Sequence, residues 1–357
     1  MLGTAAVTAV PVTIYSGYLF FLTLASMIPR RIKLREKPDT KIAIIIPAQN
    51  EEAGIEKAIS SLLAVTDYPS ELFSIITVAA NCTDSTAYIA NFAGAEVLEY
   101  ANEWKPGRGF AVEWALSHLK DKDYDLFLIL DPDTVLEKDA LRYLDAEFNA
   151  GHIAMQLPAK PALPSSSWKT LLKKFKTAAE NYLQPRGRDR IGFSSPLTGN
   201  GTALSAEILE QIPFEAGGEN DTSEYFYKLV CGREKARFIC GCNCAVLVPP
   251  DSLESARRNK MPKRFFPKLI KEAFNGNFTA AETLLNIFLP PYATLFAGAL
   301  ILLFSGAMLF FAGGLPETAL FTKYGIILLI AAVCSTILLV IYIITGIAEK
   351  KLLQKTE

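Results

Sequence analysis

The sequence predicts an α/β domain built on a parallel sheet, flanked by apolar segments long enough to cross a membrane. Three observations carry that expectation. From Lys41 to Leu130, short apolar runs alternate with helical patterns, and each run ends in a polar, turn-forming loop. The fourth run, Leu126 to Leu130, stops on two carboxylates spaced i, i+2 around a proline, Asp131-Pro132-Asp133. Residues 7–28 and two stretches near 291–313 and 325–347 hold no charged side chain.

The bulk numbers bound the function. The 357 residues suffice for one large domain or two ordinary ones. Half are hydrophobic (50%), with the excess at the two ends. With 36 basic and 37 acidic residues the net charge is −1, so no basic footprint argues for nucleic acid as a partner. The six cysteines are too few and too unevenly placed for a disulfide framework. Cys240-Gly241-Cys242-Asn243-Cys244 lacks zinc-ligand spacing and is expected on one face of a buried strand. His118 and His152 are the only histidines, which excludes a histidine-rich zinc site.

The end segments are predicted to anchor the chain. The first apolar stretch has no charge before it and Arg30, Arg31, Lys33, Arg35 and Lys37 after it. That asymmetry places the N-terminus outside and the following domain in the cytoplasm, at the cell membrane. A cleaved leader would show the reverse pattern. Gly313, Gly314 and Pro316 separate the two later stretches, and Lys350, Lys351 and Lys355 follow the second. Expected boundaries are an anchor over 1–29, a cytoplasmic domain over 38–250, amphipathic helices at the membrane surface over 251–288, two spans over 289–348 and a tail over 349–357. In the amphipathic stretch, Phe265, Phe266, Leu269, Ile270 and Phe274 interleave with Lys263, Arg264, Lys268 and Lys271. An ordinary surface helix is the alternative there.

Within the domain, Lys41 to Pro47 reads as a buried strand, followed by a helix through Ile55, Ile59 and Leu62. Phe73 to Val78 is a second strand, and Asn81-Cys82-Thr83-Asp84-Ser85-Thr86 opens a second helix. Glu96 to Tyr100 is a third, and Gly107-Arg108-Gly109 starts the helix through Leu119. Strand-end loops of such a sheet converge on one rim, where ligands bind. Two aspartates there suit a hard divalent cation shared with phosphates, although Asp and Pro also make plain turns.

This succession resembles the family 2 glycosyltransferases, inverting enzymes of GT-A (nucleotide-diphospho-sugar transferase-like) fold. The matching motifs are Ile-Ile-Pro-Ala-Gln-Asn-Glu-Glu (45–52), Asn-Cys-Thr-Asp-Ser-Thr (81–86), Gly-Arg-Gly-Phe-Ala (107–111), Asp-Pro-Asp (131–133), Thr-Gly-Asn-Gly (198–201) and Glu-Asn-Asp (219–221). The flanking apolar segments look like those of membrane-bound members that make polysaccharide or glycolipid. The resemblance implies a UDP-linked sugar donor, Mg²⁺ or Mn²⁺, membrane lipids around the anchors, and a lipid-linked or saccharide acceptor. It puts Pro47, Glu51, Asn81, Asp84, Arg108 and Asp131 at the nucleotide, and Asp133 with Asp131 at the metal. Gly199, Asn200 and Gly201 fall at the acceptor, with Asp221 as the catalytic base. Each has a plainer alternative: helix caps for Asp84 and Asp221, a helix-start carboxylate for Glu51, a solvated arginine for Arg108.

Two departures qualify the resemblance. Ala80 stands where relatives carry an aspartate for the nucleobase, and no Gln-x-x-Arg-Trp motif follows the domain, so one sugar per acceptor is expected rather than a polymer. Asn220 replaces the acidic partner usual before the base. A catalytically silent scaffold in a polysaccharide assembly complex is the competing expectation.

Overall fold

A computed structural model describes residues 2–65, 67–161, 179–216, 221–241, 245–248, 261–288 and 292–312, with scattered positions between 326 and 341. The chain divides into two compact units. The larger comprises Pro29–Leu171 and Gly192–Leu284; the smaller comprises Met1–Ile28, Leu172–Ile191 and Leu285–Glu357.

The larger unit is organised on four parallel strands, β1 (Ile42–Ala48), β2 (Phe73–Ala80), β3 (Glu96–Tyr100) and β4 (Leu126–Ile129). Every residue of β1 and β4 is buried, as expected of apolar runs covered on both faces. Ile42, Ile44 and Ile46 form one core with Leu126 and Leu128, joined by Ile55, Ile59 and Leu62 of α2 (Ile55–Val65) and by Leu141 and Leu144 of α5 (Ala140–Phe148). Between them in sequence come α3 (Thr86–Phe92), packed on α2 and β3, and α4 (Arg108–Leu119), packed along β1, β2 and β3. Pro47 sits inside β1 without breaking it. Leu130 N donates to Ile45 O at 3.0 Å, so strand alternation turns the nitrogen of Pro47 toward β4 just beyond the last β1–β4 pair, Ile45↔Ile129.

The sheet is mixed, not parallel throughout. Its order is β3-β2-β1-β4-β8-β6-β9, with β6 at Ala154–Gln156, β8 at Thr202–Ser205 and β9 at Ala236–Phe238. β8 runs antiparallel to both β4 and β6. A second sheet, β5-β10-β7, joins Val135–Leu136, Val246–Val248 and Ala159–Pro161. β9 ends at Phe238, so Cys240 lies past a strand rather than on one; Cys242 and Cys244 are outside the described residues.

Part of the basic flank is engaged by this unit. Arg30 Nη2 donates to both oxygens of Glu147, at 2.9 and 2.8 Å, and Arg35 pairs with Asp39 and Asp145. Asp145 also accepts from Thr40 N and Thr40 Oγ1, at 3.2 and 2.7 Å.

The smaller unit holds α1 (Leu2–Ser26), α6 (Gln184–Arg190) and α11 (Tyr292–Ala312). α6 packs on α1 through Gly187, where a Cβ would come within 2.3 Å of Leu22 O. Arg188 donates to Tyr18 Oη, and Arg190 Nε to Ile28 O at 2.9 Å. The expected domain over 38–250 is therefore interrupted: residues 172–191 group with the apolar helices. Among the described residues no helix is long and apolar enough to cross a membrane. The expected span over 325–347 falls largely outside the described residues.

The amphipathic stretch forms α9 (Phe266–Phe274) and α10 (Phe278–Ile287). Phe265 and Leu269 are buried, with the Phe265 ring 5.7 Å from Tyr227, whereas Phe274 and Phe278 are exposed. One face thus packs on the domain in the manner of an ordinary surface helix, and its aromatic tip does not.

Candidate active site

Strand order dictates which loops meet. β1, β2 and β4 are adjacent and parallel, so Asn50–Glu52, Asn81–Thr86 and Asp131–Thr134 emerge on one rim. The first two loops are cross-tied. Asn50 Oδ1 accepts from Thr83 N at 2.9 Å, Glu51 N donates to Thr86 Oγ1 at 2.8 Å, and Glu52 N donates to Asp84 Oδ2 at 3.2 Å. Asp84 also accepts from Thr86 N and Thr86 Oγ1, and the Thr86 hydroxyl bond is the main reason its pKa is lowered. It therefore holds the first residue of α3 and ties the two loops together.

Asn50 and Asn81 hold left-handed backbone, φ 55° and 50°, which asparagine tolerates better than most residues. The Asn81 amide forms a two-way pair with Asn102: Nδ2 donates to Asn102 O at 3.1 Å, and Oδ1 accepts from Asn102 N at 2.7 Å. Both ends of the amide are engaged with backbone, and the pair fixes the loop after β3.

That loop delivers Arg108 as the first residue of α4. Arg108 Nε donates to Asp131 Oδ1 at 2.8 Å, while its buried Nη2 has no hydrogen-bond partner. Asp131 N donates to Asn200 Oδ1 at 3.2 Å, and Asn200 Nδ2 donates to Thr134 Oγ1 at 2.8 Å. The side chain of Asn200 thus clamps the Asp131–Thr134 turn. Gly199 and Gly201 permit the clamp through left-handed backbone, φ 96° and 74°; a Cβ on Gly199 would sit 3.2 Å from Arg108 Nη1.

Gln156 braces the same turn and has no signature in the sequence. It is buried on β6, accepts from Thr198 N and Thr202 Oγ1 at 2.9 and 2.8 Å, and donates to Asn200 O at 2.8 Å. Only the strand pairing, unreadable from local pattern, brings it there.

After the short α7 (Ala206–Gln211), Asp221 begins α8 (Asp221–Cys231) and is buried. Its carboxylate lies against the Cα of Gly109, one residue past Arg108. The neighbouring acid Glu224 is ion-paired with Arg264, which leaves it tied elsewhere; Glu219 and Asn220 lie outside the described residues. Arg108 and Gly109, consecutive at the N-terminus of α4, therefore meet Asp131 and Asp221 respectively.

The carboxylates suit a hard cation. Burial, reinforced by the charges of Asp133 and then Asp84, raises the pKa of Glu51, so these acids face a common like-charge field. Among the described residues no three His, Cys, Asp or Glu side chains are placed to hold a metal by themselves. Mg²⁺ or Mn²⁺ at a diphosphate needs fewer, since one or two carboxylates complete a set of phosphate and water oxygens. Asp131 and Asp133 fit that requirement, and the unpartnered Nη2 of Arg108 is a ready donor to a phosphate oxygen.

Fold and rim together define an α/β glycosyltransferase domain of GT-A type. Residues 38–239 match the profile described as "Glycosyltransferase like family 2", and the chain belongs to that family. It is 26% identical over 212 residues to the Probable glycosyltransferase YdaM of Bacillus subtilis, a match covering 57% of this chain and 49% of the relative. It is 30% identical over 118 residues to a hyaluronan synthase of Streptococcus pyogenes, covering 31% of this chain and 27% of that one. The chain thus spans about half, or less, of the length of these relatives. Among solved structures, the mannosyltransferase PcManGT of Pyrobaculum calidifontis, in complex with GDP-Man and Mn²⁺, shares the fold with a TM-score of 0.55 at 17% identity. That likeness covers 94% of this chain and 99% of the other.

Proposed function

We propose that the chain is a membrane-bound inverting glycosyltransferase that moves one sugar from a nucleotide-diphospho-sugar, with UDP-sugars the first candidates, to a lipid-linked acceptor in cell-envelope polysaccharide or glycolipid synthesis. The observation that carries this reading is the pairing of functions at the start of α4: Arg108 on Asp131, and Asp221 over Gly109. Asp221 takes the proton of the acceptor hydroxyl as its oxygen attacks the anomeric carbon. The bond from that carbon to the diphosphate breaks, and the nucleoside diphosphate leaves with Arg108 beside it. Asp131 and Asp133 would hold Mg²⁺ or Mn²⁺, which would supply neutralisation of the departing charge. The Gly199–Gly201 turn, beside Arg108, is the candidate acceptor flank.

Membrane attachment is supported by the smaller unit. α1 exposes Val10, Ile14, Phe21 and Leu24, and α11 exposes Leu300, Ile301 and Phe304, apolar surface that water disfavours. The basic residues after α1 support a cytoplasmic catalytic domain.

The test is nucleotide release from a donor panel, UDP-sugars and GDP-mannose in separate arms, with total lipid extract and Mn²⁺. Release is expected with one donor class, and Asp221→Asn is expected to cut it by about 100- to 10,000-fold, to a residual rate. Wild-type turnover in Asp221→Asn would remove Asp221 from the base role.

A further inference from the structure

Gly109 is buried at the second position of α4, with ordinary helical backbone that any residue adopts. Its lack of a side chain is explained by what lies beside it. A Cβ built there would fall 1.3 Å from Asp221 Oδ2, 2.3 Å from Cγ and 2.9 Å from Cβ, and these are its three nearest neighbours. No backbone atom from outside this stretch of α4 comes as close. The space that a methyl group would take is the space the Asp221 carboxylate occupies.

We infer that Gly109 is a positioning residue for catalysis: its missing side chain is the seat that holds the Asp221 carboxylate at the acceptor end of the site. This rests on the proposed role of Asp221. Because Arg108 holds Asp131, adjacent residues of one helix turn set the donor carboxylate and the base in fixed register. The chemistry is specific in what it tolerates. A methyl at residue 109 displaces only the end of a rotatable side chain, so the fold can accept it, and a helix favours alanine over glycine. The carboxylate, however, has to swing out of its seat, and a displacement near 1 Å at a reacting group costs about 100-fold in rate.

The experiment compares Gly109→Ala, Asp221→Asn and the double variant in the full-length protein. Measured are kcat for nucleotide release, donor affinity by calorimetry with Mn²⁺ and UDP, and the melting temperature. Gly109→Ala is expected to melt at or above wild type and to bind UDP within about twofold of it, with kcat lower by about 100-fold. In the Asp221→Asn background the same change is expected to alter kcat no further, because residues acting through one group are non-additive. Wild-type kcat in Gly109→Ala alongside a strongly impaired Asp221→Asn overturns the inference alone. Loss of cooperative melting, loss of UDP binding in step with kcat, or a further fall in the double variant also overturns it, since each assigns Gly109 a structural or independent role. Full activity in Asp221→Asn overturns the base assignment, and the inference with it.

Discussion

Glu51 shows how much of the rim chemistry is repulsion held in check by structure. Its carboxyl is partly buried, and Asp133 and Asp84 add negative potential, so it holds its proton more tightly in the folded chain than unfolded. A raised carboxylate pKa makes folding stability fall as pH rises from the ordinary carboxylate range through the folded value, and the cost is fully present at neutral pH. A divalent cation with a diphosphate bound at this rim would relieve it. Glu51→Gln is therefore expected to melt at or above wild type at neutral pH without ligand. It should also lose part of the acid-side stabilisation and gain less from Mn²⁺ plus UDP. Melting curves between about pH 5 and about pH 8, with and without ligand, check all three; unchanged ligand stabilisation would free Glu51 from the donor site. At this scale the sequence was partly informative. Asp131 and Asp133 were legible because a strand end and two carboxylates coincide, and the plainer turn is present as well. The amide pair of Asn81 with Asn102 and the brace from Gln156 were not, since each depends on a partner fixed only by tertiary pairing.

Among the elements, the apolar strands carried the clearest signal. β3 spans Glu96–Tyr100 as the alternation suggests, and β1, β2 and β4 differ from expectation by at most two residues at an end. Continuous burial leaves no ambiguity for runs such as Leu126–Ile129. β6, β8 and β9, of three, four and three residues, were invisible because so short a segment has no period to read. β8 follows the Gly199–Gly201 turn, where Gly201 N donates to Ile129 O at 2.9 Å and extends the antiparallel pairing with β4. Leu128 lies at the centre of this arrangement, fully buried between β1 and β8. Leu128→Ala is expected to cost about 2–5 kcal/mol through lost burial and the cavity left behind. Denaturant unfolding followed by circular dichroism measures it. A loss below about 1 kcal/mol would mean that the sheet centre can collapse around the gap, against the close packing expected of a core.

For the whole molecule, the sequence suggested a linear order of anchor, domain and anchors, and the contacts instead gather residues 172–191 with the two terminal segments. A one-dimensional reading misses this because nothing local marks the insert's partners: Arg186, Arg188 and Arg190 make it basic, yet Arg188 and Asp189 are buried. Arg188 donates to Tyr18, and Gly187 allows contact with the backbone of α1. The unit thereby buries its polar groups internally while α1, α11 and the segment carrying Ile330, Val333 and Ile337 expose apolar ones. In water that distribution is unfavourable at about 25 cal/mol per Å² of apolar surface; in lipid it is not. Charge alone would not supply such an attachment, because Arg30 and Arg35 of the basic flank are paired with Glu147 and Asp145. The chain is therefore expected to sediment with membranes and to stay there through washes at high salt and at alkaline pH, which strip proteins held by charge. Detergent is expected to release it with nucleotide-releasing activity intact. Release by salt alone would mean that electrostatic contacts dominate, and that the apolar faces of α1 and α11 are covered by protein instead of lipid.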